Sequence, residues 1–282
     1  MATVEHLLAE ARRRLAAAPF APPAREAGLL LAHTLGLSEA QVLARPEEGV
    51  PAAETARFAS LLERRLHGEP FAYLTGEREF HGRAFQVDRR VLVPRPETEH
   101  LVEAALRLPL PPSPRILDIG TGSGCLAVTL AAELPAASVV ASDSSLNALA
   151  VARANARRHG VAPRVRLVAA DLAVPLRLRD FDLVLSNPPY IAPEESGALS
   201  IEIVDFEPHG ALFAAGGDSV LRRLLGAAAA LRPGAWMALE IGRGQLPGLE
   251  RQARSLPLRI AEVRPDLAGV PRVLVLERRG DG

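Results

Sequence analysis

The segment RILDIGTGSGCLAV, Arg115 to Val128, restricts the folds open to this chain more than any other. An apolar run of strand character meets three glycines in five residues, Gly120, Gly122 and Gly124, and then a run of helical character. Glycine reaches backbone conformations closed to other residues, so the chain can turn tightly there and let a ligand approach. The helix that follows points its first amides at the turn. A bare strand-to-helix turn would use the same residues, so the glycines alone do not assign a ligand.

From that point the chain alternates strand and helix. The strands expected are Arg115–Ile119, Ser138–Ser142, Arg164–Ala169, Phe181–Ser186, Ala235–Ile241, Leu258–Val263 and Arg272–Glu277. Helical periodicity occupies Gly124–Glu133, Leu146–His159 and Ser219–Leu231. This alternation predicts an α/β fold on a mostly parallel sheet. The link RPDLAGVP between the last two strands is too short for a helical crossover, so the last strand is antiparallel.

The first seventy or so residues read instead as short helices: Val4–Leu15, Ala24–Leu35 ending at Gly36, one begun by the capping box Ser38/Gln41, and one after Pro51. GEREFHGRAFQV alternates about Gly82 and reads as a hairpin connecting this bundle to the sheet. The boundaries expected are therefore 1–74 for the bundle, 75–93 for the hairpin linker and 94–282 for the α/β domain.

Composition removes several classes of function. The 282 residues carry a formal net charge of zero, which gives no bulk electrostatic case for nucleic acid or an anionic membrane. Every basic residue is arginine, so a Walker-type phosphate loop, a kinase-type lysine and Schiff-base chemistry are excluded. Cys125 is the single cysteine and forms no intramolecular disulfide. No metal site is expected: Glu97, Glu99, His100 and Glu103 read as a solvated helix face, and Cys125 as a packing residue. With no signal-peptide core and no membrane-length apolar run, a soluble cytoplasmic protein is expected.

Asp143 ends the second strand about 20 positions beyond the glycines, where an acid hydrogen-bonds ribose hydroxyls. The same residue also fits as a cap for the helix after it. The third strand runs out into Asp171 and Leu172, so three successive strand ends surround one crevice. The loop is Gly-x-Gly-x-Gly rather than Gly-x-Gly-x-x-Gly, and Asp118 precedes it. A carboxylate there disfavours a pyrophosphate and suits a sulfonium or ammonium, so S-adenosyl-L-methionine fits better than NAD.

FDLVLSNPPYIA, Phe181 to Ala192, is a strand stopped by two prolines. Asn187 Oδ1 and the Pro188 carbonyl are two acceptors suited to the two N–H groups of a planar NH₂. Pro188 and Pro189 set them in place beforehand, and Tyr190 offers a ring face. As a structural feature alone, the same tetrapeptide is a stiff turn that ends a strand.

DIGTGSG, Asp143, ADL and NPPY, in that order, resemble a class I methyltransferase acting on a planar amide or amine nitrogen. GEREFHGRAFQV, VLVPRPETEHLVE, FEPHGALFAAGGDS and DLAGVPRVLV narrow the resemblance to the release-factor glutamine methyltransferases, the HemK/PrmC family. The match runs from about Pro70 to the C-terminus.

The resemblance implies a Rossmann-like sheet that binds S-adenosyl-L-methionine and releases S-adenosyl-L-homocysteine. It implies methylation of the glutamine amide nitrogen in a Gly-Gly-Gln tripeptide of class 1 peptide chain release factors, with the bundle recognising the substrate. Carried over by residue, Asp118, Gly120, Thr121, Gly122, Ser123, Gly124, Asp143, Asp171, Leu172 and Asn187 hold the cofactor. Asn187, Pro188, Pro189 and Tyr190 hold the substrate and carry catalysis. Arg95, Glu97 and Thr98 border the site, and Glu207 and His209 lie beside the substrate or in a structural loop. The alternatives are an adenine-N6 methyltransferase, whose turn holds a flipped base, and a non-catalytic release-factor or ribosome-binding module.

Overall fold

The computed structural model describes residues 1–18, 22–172 and 176–280. The chain separates into two units, Met1–Gly76 with Ile201–Phe206, and Glu77–Ser200 with Glu207–Gly282.

In the first unit, Ala2–Thr3 (β1) pairs antiparallel with Gly49–Val50 (β2). Helix α1 (Val4–Leu15) is capped by Thr3, whose Oγ1 accepts from the His6 N–H, and it buries Val4, Leu7, Leu8, Ala11 and Leu15. Helix α2 (Pro23–Leu35) opens on proline, whose missing N–H costs nothing in a first turn, and stops where Gly36 takes φ 65°. Helix α3 (Glu39–Leu43) carries the capping box in full: Gln41 N donates to Ser38 Oγ, and Ser38 N donates to Gln41 Oε1. Helices α4 (Ala52–Leu66) and α5 (Phe71–Thr75) complete the bundle.

One buried cation interrupts that apolar face. Arg65 is 2% exposed. Its Nε donates to Glu26 Oε2 at 2.8 Å, and its Nη1 lies 2.7 Å from Glu202 Oε1 and donates to the Glu69 carbonyl. Glu202 belongs to the Ile201–Phe206 segment, so this charge cluster joins that segment to the bundle.

The second unit begins with a hairpin, β3 (Glu77–Phe80) and β4 (Arg83–Gln86). Its two loop residues both take positive φ, 50° at His81 and 72° at Gly82, the geometry that matches a two-residue turn to strand twist. Phe80 and Phe85 drop edge to face into the core of this unit. Then follow α6 (Glu99–Leu106), β5 (Arg115–Ile119), α7 (Cys125–Glu133), β6 (Ser138–Asp143), α8 (Leu146–Arg158), β7 (Val165–Ala169) and β8 (Leu183–Ser186). Short helix α9 (Ile201–Val204) lies in the first unit, and α10 (His209–Leu212) returns to the second. The chain ends with α11 (Ser219–Ala227), β9 (Trp236–Glu240), α12 (Leu246–Arg254), β10 (Leu258–Pro265) and β11 (Pro271–Arg278).

The seven-stranded sheet has the order β10-β11-β9-β8-β5-β6-β7. β11 alone runs opposite to the other six strands, as the short final link requires. One face packs on α6, α7, α8 and the hairpin, the other on α11 and α12. Strand order reverses at β5, which has β6 on one side and β8 on the other, so a crevice opens beyond the carboxyl ends of these strands.

Two of the departures from the expected bounds have a visible cause. The strand foreseen from Phe181 starts at Leu183, because Phe181 closes a 3₁₀ turn (Leu178–Asp180) and buries its ring under the Arg115 guanidinium. The helix foreseen to Leu231 is α-helical only to Ala227 and tightens into a 3₁₀ turn (Ala228–Ala230) before Pro233.

Candidate active site

Beyond Ile119 the glycine loop folds over the end of β6: Gly120 N and Thr121 N both donate to the Ser142 carbonyl, at 2.8 and 2.9 Å. Gly122 takes φ 54° and faces open space where a side chain would begin. Gly124 is required for another reason. A Cβ there would sit 3.1 Å from Ala152 Cβ, so its absence lets α7 close on α8.

Asp118 lies beneath this loop and is fully buried. Its Oδ2 accepts from Thr121 Oγ1 at 2.6 Å and from Ala127 N at 3.2 Å, while Oδ1 has no partner. Burial pushes its carboxyl up to about 7, opposed by those two hydrogen bonds and reinforced by Asp143. Asp118, Thr121, Ser123 and Gly124 therefore build the loop from behind, while Gly120 and Gly122 form the crevice wall.

Asn155 of α8 completes that support. It is fully buried, and its Nδ2 donates to the Ser123 carbonyl at 2.8 Å and to the Gln86 carbonyl at 2.9 Å. Its position in ARANARR carries no signal that separates it from a solvated polar residue.

Asp143 stands in the crevice wall. Its Oδ2 accepts from Gly122 N and its Oδ1 from Ser145 N, both at 2.9 Å. The cap of α8 is Ser145, whose Oγ accepts from Ala148 N, so the capping alternative for Asp143 falls away. Each Asp143 oxygen keeps acceptor capacity for a hydroxyl. Asp171 and Leu172 also line the crevice. The Asp171 carboxylate is exposed and 3.4 Å from Arg223, and Leu172 holds φ 52°.

At the end of β8, Asn187 and Pro189 line the crevice, whose volume is about 330 Å³. Pro188, between them in the chain, is buried. Tyr190 follows and is held at two points: its hydroxyl donates to Glu240 Oε1 at 3.1 Å, and its carbonyl accepts from Gln245 Nε2 at 2.9 Å. Burial and the adjacent Glu240 carboxylate push the phenol well above its ordinary range.

Glu240, the last residue of β9, is 1% exposed. Its Oε2 accepts from Thr98 Oγ1 at 2.7 Å, and Thr98 Oγ1 in turn accepts from Asn187 Nδ2 at 3.0 Å. Burial raises this carboxyl to about 7, and hydrogen bonds from Thr98 and Tyr190 hold it from going higher. Thr98 thus makes no side-chain cap on α6, although it stands at the start of that helix. Glu240 is the site residue that motif reading missed. The sequence sign was an acid closing an otherwise apolar strand, WMALE.

Other candidates serve the frame. Glu207 is buried, 2.5 Å from Arg95 Nη2, and accepts from Val93 N. His209 packs edge to face on Phe213. Glu99 accepts from His81 N, and Glu103 pairs with Arg264. Among the described residues no group of three or more His, Cys, Asp and Glu is arranged to hold a metal ion. Burial pushes the Cys125 thiol up to about 12, far from a reactive thiolate.

Comparison with known proteins finds relatives along nearly the whole chain. The family model described as PrmC N-terminal domain matches residues 6–76, and that described as methyltransferase small domain matches residues 98–212. A release factor glutamine methyltransferase from Nitratidesulfovibrio vulgaris is 43% identical over 286 residues, covering 98% of this chain and 96% of that one. One from Cereibacter sphaeroides is 45% identical over 266 residues and covers 93% of each chain. Among solved structures, the hMettl16 catalytic domain in complex with a MAT2A 3′UTR hairpin superposes with a TM-score of 0.56 at 18% identity, covering 82% of this chain and 83% of that one. A methyltransferase from Pyrococcus furiosus gives 0.51 at 19% identity, covering 82% and 100%. At such identities these two establish a shared fold.

Proposed function

From a chain that belongs to the release factor glutamine methyltransferase family, we propose an enzyme that methylates the side-chain amide nitrogen of a glutamine in peptide chain release factors, using S-adenosyl-L-methionine. The target is the glutamine of the Gly-Gly-Gln tripeptide of class 1 factors, met in the cytoplasm as protein without direct nucleic-acid contact. The first unit, which carries the N-terminal family match, serves substrate recognition. No helix among the described residues is long and apolar enough to cross a membrane.

The crevice suits the cofactor on its own chemistry. The open face at Gly120 and Gly122 accepts a ligand where side chains would intrude. Asp143 offers acceptors for ribose hydroxyls. When bound, the cofactor supplies a methyl group on a positively charged sulfur.

One observation carries the choice of substrate atom: Asn187 lines the crevice and commits its Nδ2 to Thr98, which leaves Oδ1 as the end of the amide for a substrate. The Pro188 carbonyl stands next in the chain as a second acceptor. Two acceptors match the two N–H groups of a primary amide. They favour positive charge building on nitrogen as the new bond forms, and they are in place before substrate arrives. The surplus proton leaves to solvent after transfer, so no strong base is needed beforehand. Tyr190 holds the turn from behind through Glu240 and Gln245.

Labelled S-adenosyl-L-methionine offered to purified release factor and to DNA tests this reading. Label is expected on release factor and is expected to vanish when the tripeptide glutamine is replaced by alanine. Label on DNA alone overturns the reading.

A further inference from the structure

The side chains of Glu240, Thr98 and Asn187 form a line of hydrogen bonds whose direction is fixed at one end. An ionised carboxylate only accepts, so Glu240 Oε2 takes the single hydroxyl hydrogen of Thr98 at 2.7 Å. Thr98 Oγ1 then has only lone pairs for Asn187, which must present Nδ2 to it, as it does at 3.0 Å. Glu240 and Thr98 are 1% and 2% exposed, so water does not supply substitute partners. The second Glu240 oxygen is taken by the Tyr190 hydroxyl.

We infer that Glu240 and Thr98 are positioning residues for the transfer, a relay that sets which end of the Asn187 amide meets the substrate. The inference rests on the proposed function, in which Asn187 Oδ1 receives an N–H of the substrate amide. Neither residue touches the reacting atoms; they act through Asn187.

The relay has two settings. With Glu240 ionised, Asn187 Oδ1 faces the crevice and accepts. With Glu240 protonated, its own O–H donates to Thr98, the Thr98 hydrogen turns to Asn187, and the Asn187 amide rotates to receive it. Its NH₂ then faces the substrate NH₂, donor against donor. The groups around Glu240 are Arg272 on β11, Glu97 and Thr98 before α6, Tyr190 after β8 and Cys125 on α7, with Arg95 acting on Tyr190. Burial outweighs the Arg272 charge and places the Glu240 carboxyl near 7. Transfer is therefore expected to fall as pH drops through neutrality.

The test compares wild type with Thr98→Val, Thr98→Ser and Glu240→Gln. It measures transfer to release factor from about pH 6 to about pH 9 and cofactor binding by calorimetry. Thr98→Val is expected to lower kcat about tenfold or more with little change in cofactor affinity, and to lose the acid limb. Thr98→Ser restores both, and Glu240→Gln loses the limb. A wild-type kcat in Thr98→Val, or a limb near 7 that survives in both Thr98→Val and Glu240→Gln, overturns the relay.

A second readout needs no substrate. In the ¹⁵N spectrum of wild type, the Asn187 side-chain amide, assigned by its absence in Asn187→Ala, is expected to titrate near pH 7. No titration of that amide overturns the relay even if a variant fails to fold. A titrating amide in a protein that leaves release factor unlabelled would sustain the relay and refute the proposed substrate.

Discussion

The Asn155 side-chain amide pairs with the Gln86 backbone in both directions: Gln86 N donates to Oδ1 at 2.8 Å, and Nδ2 donates to the Gln86 carbonyl at 2.9 Å. A side chain here stands in for a neighbouring strand. Its remaining N–H reaches the Ser123 carbonyl, so one residue joins the hairpin to the glycine loop. Asn155→Leu keeps the branched outline with some added bulk and removes all three hydrogen bonds, leaving buried partners unmatched. The expected loss is about 2–4 kcal/mol of stability, with weaker cofactor binding. Denaturant unfolding and calorimetry measure the two.

Asn187→Ala removes the acceptor at the crevice and leaves Asp143 and the glycines untouched. Transfer is expected to drop at least about a hundredfold, with cofactor affinity changed by no more than a few-fold. Single-turnover assays alongside calorimetry separate these effects. Undiminished turnover would remove Asn187 from the reaction.

The two glycines divide binding from folding. In Gly122→Ala the new methyl enters open space at φ 54°, so the strain is about 1–2 kcal/mol and the chief loss is cofactor affinity. In Gly124→Ala the methyl meets Ala152 at 3.1 Å with φ 82°, so the chief loss is thermal stability. Melting curves with and without cofactor distinguish them. Equal effects on both quantities would show that the loop responds as one piece.

Arg65 is the cation on which the buried Glu26 depends. Arg65→Met strands Glu26 without its partner, and about 3–5 kcal/mol of stability is expected to be lost. The double change Arg65→Met with Glu26→Leu should recover much of it, because an apolar pair avoids burying charge. Unfolding of the single and double variants in the full chain checks the cycle.

Stability should also respond to pH through Asp118 and Glu240, both raised to about 7. Between their ordinary values near 4 and the folded value, the folded chain holds protons that the unfolded chain has released. Stability contributed this way is greatest at the acid end of that window and falls as pH rises to 7, by about 1.4 kcal/mol per unit of raised pKa. Denaturation midpoints without cofactor are expected to be higher at about pH 5.5 than at about pH 8, with a flatter profile for Asp118→Asn. A midpoint that rises over this interval would contradict the assignment.

Legibility in the sequence followed locality. The strand–helix alternation, the glycine turn and the Ser38/Gln41 box were readable because each is written in consecutive or closely spaced residues. The antiparallel final strand was readable because its link is too short to cross the sheet. The relay was not, since Thr98 and Glu240 stand 142 positions apart and nothing near Glu240 in the sequence marks it as Thr98's partner. Tyr190 was expected to lie against the substrate amide. Its hydroxyl partner, Glu240, comes from a strand 50 positions later, a contact that the tetrapeptide itself does not announce. Thr98 is alike in this: its hydroxyl partners are remote, so nothing beside it in the chain shows what it holds.

The placement of Ile201–Phe206 in the first unit has a consequence for how this protein can be divided. The polypeptide leaves the α/β unit after Ser200, contributes Glu202 to the Arg65 cluster, and re-enters at Glu207. Severing the chain behind Gly76 would therefore yield no self-contained half. The amino-terminal fragment would lack a carboxylate and the Ile201 side chain that packs over Gly68, and the other fragment would carry both with nothing to receive them. The first unit is thus discontinuous along the polypeptide, and a fragment that keeps it whole has to include Ile201–Phe206.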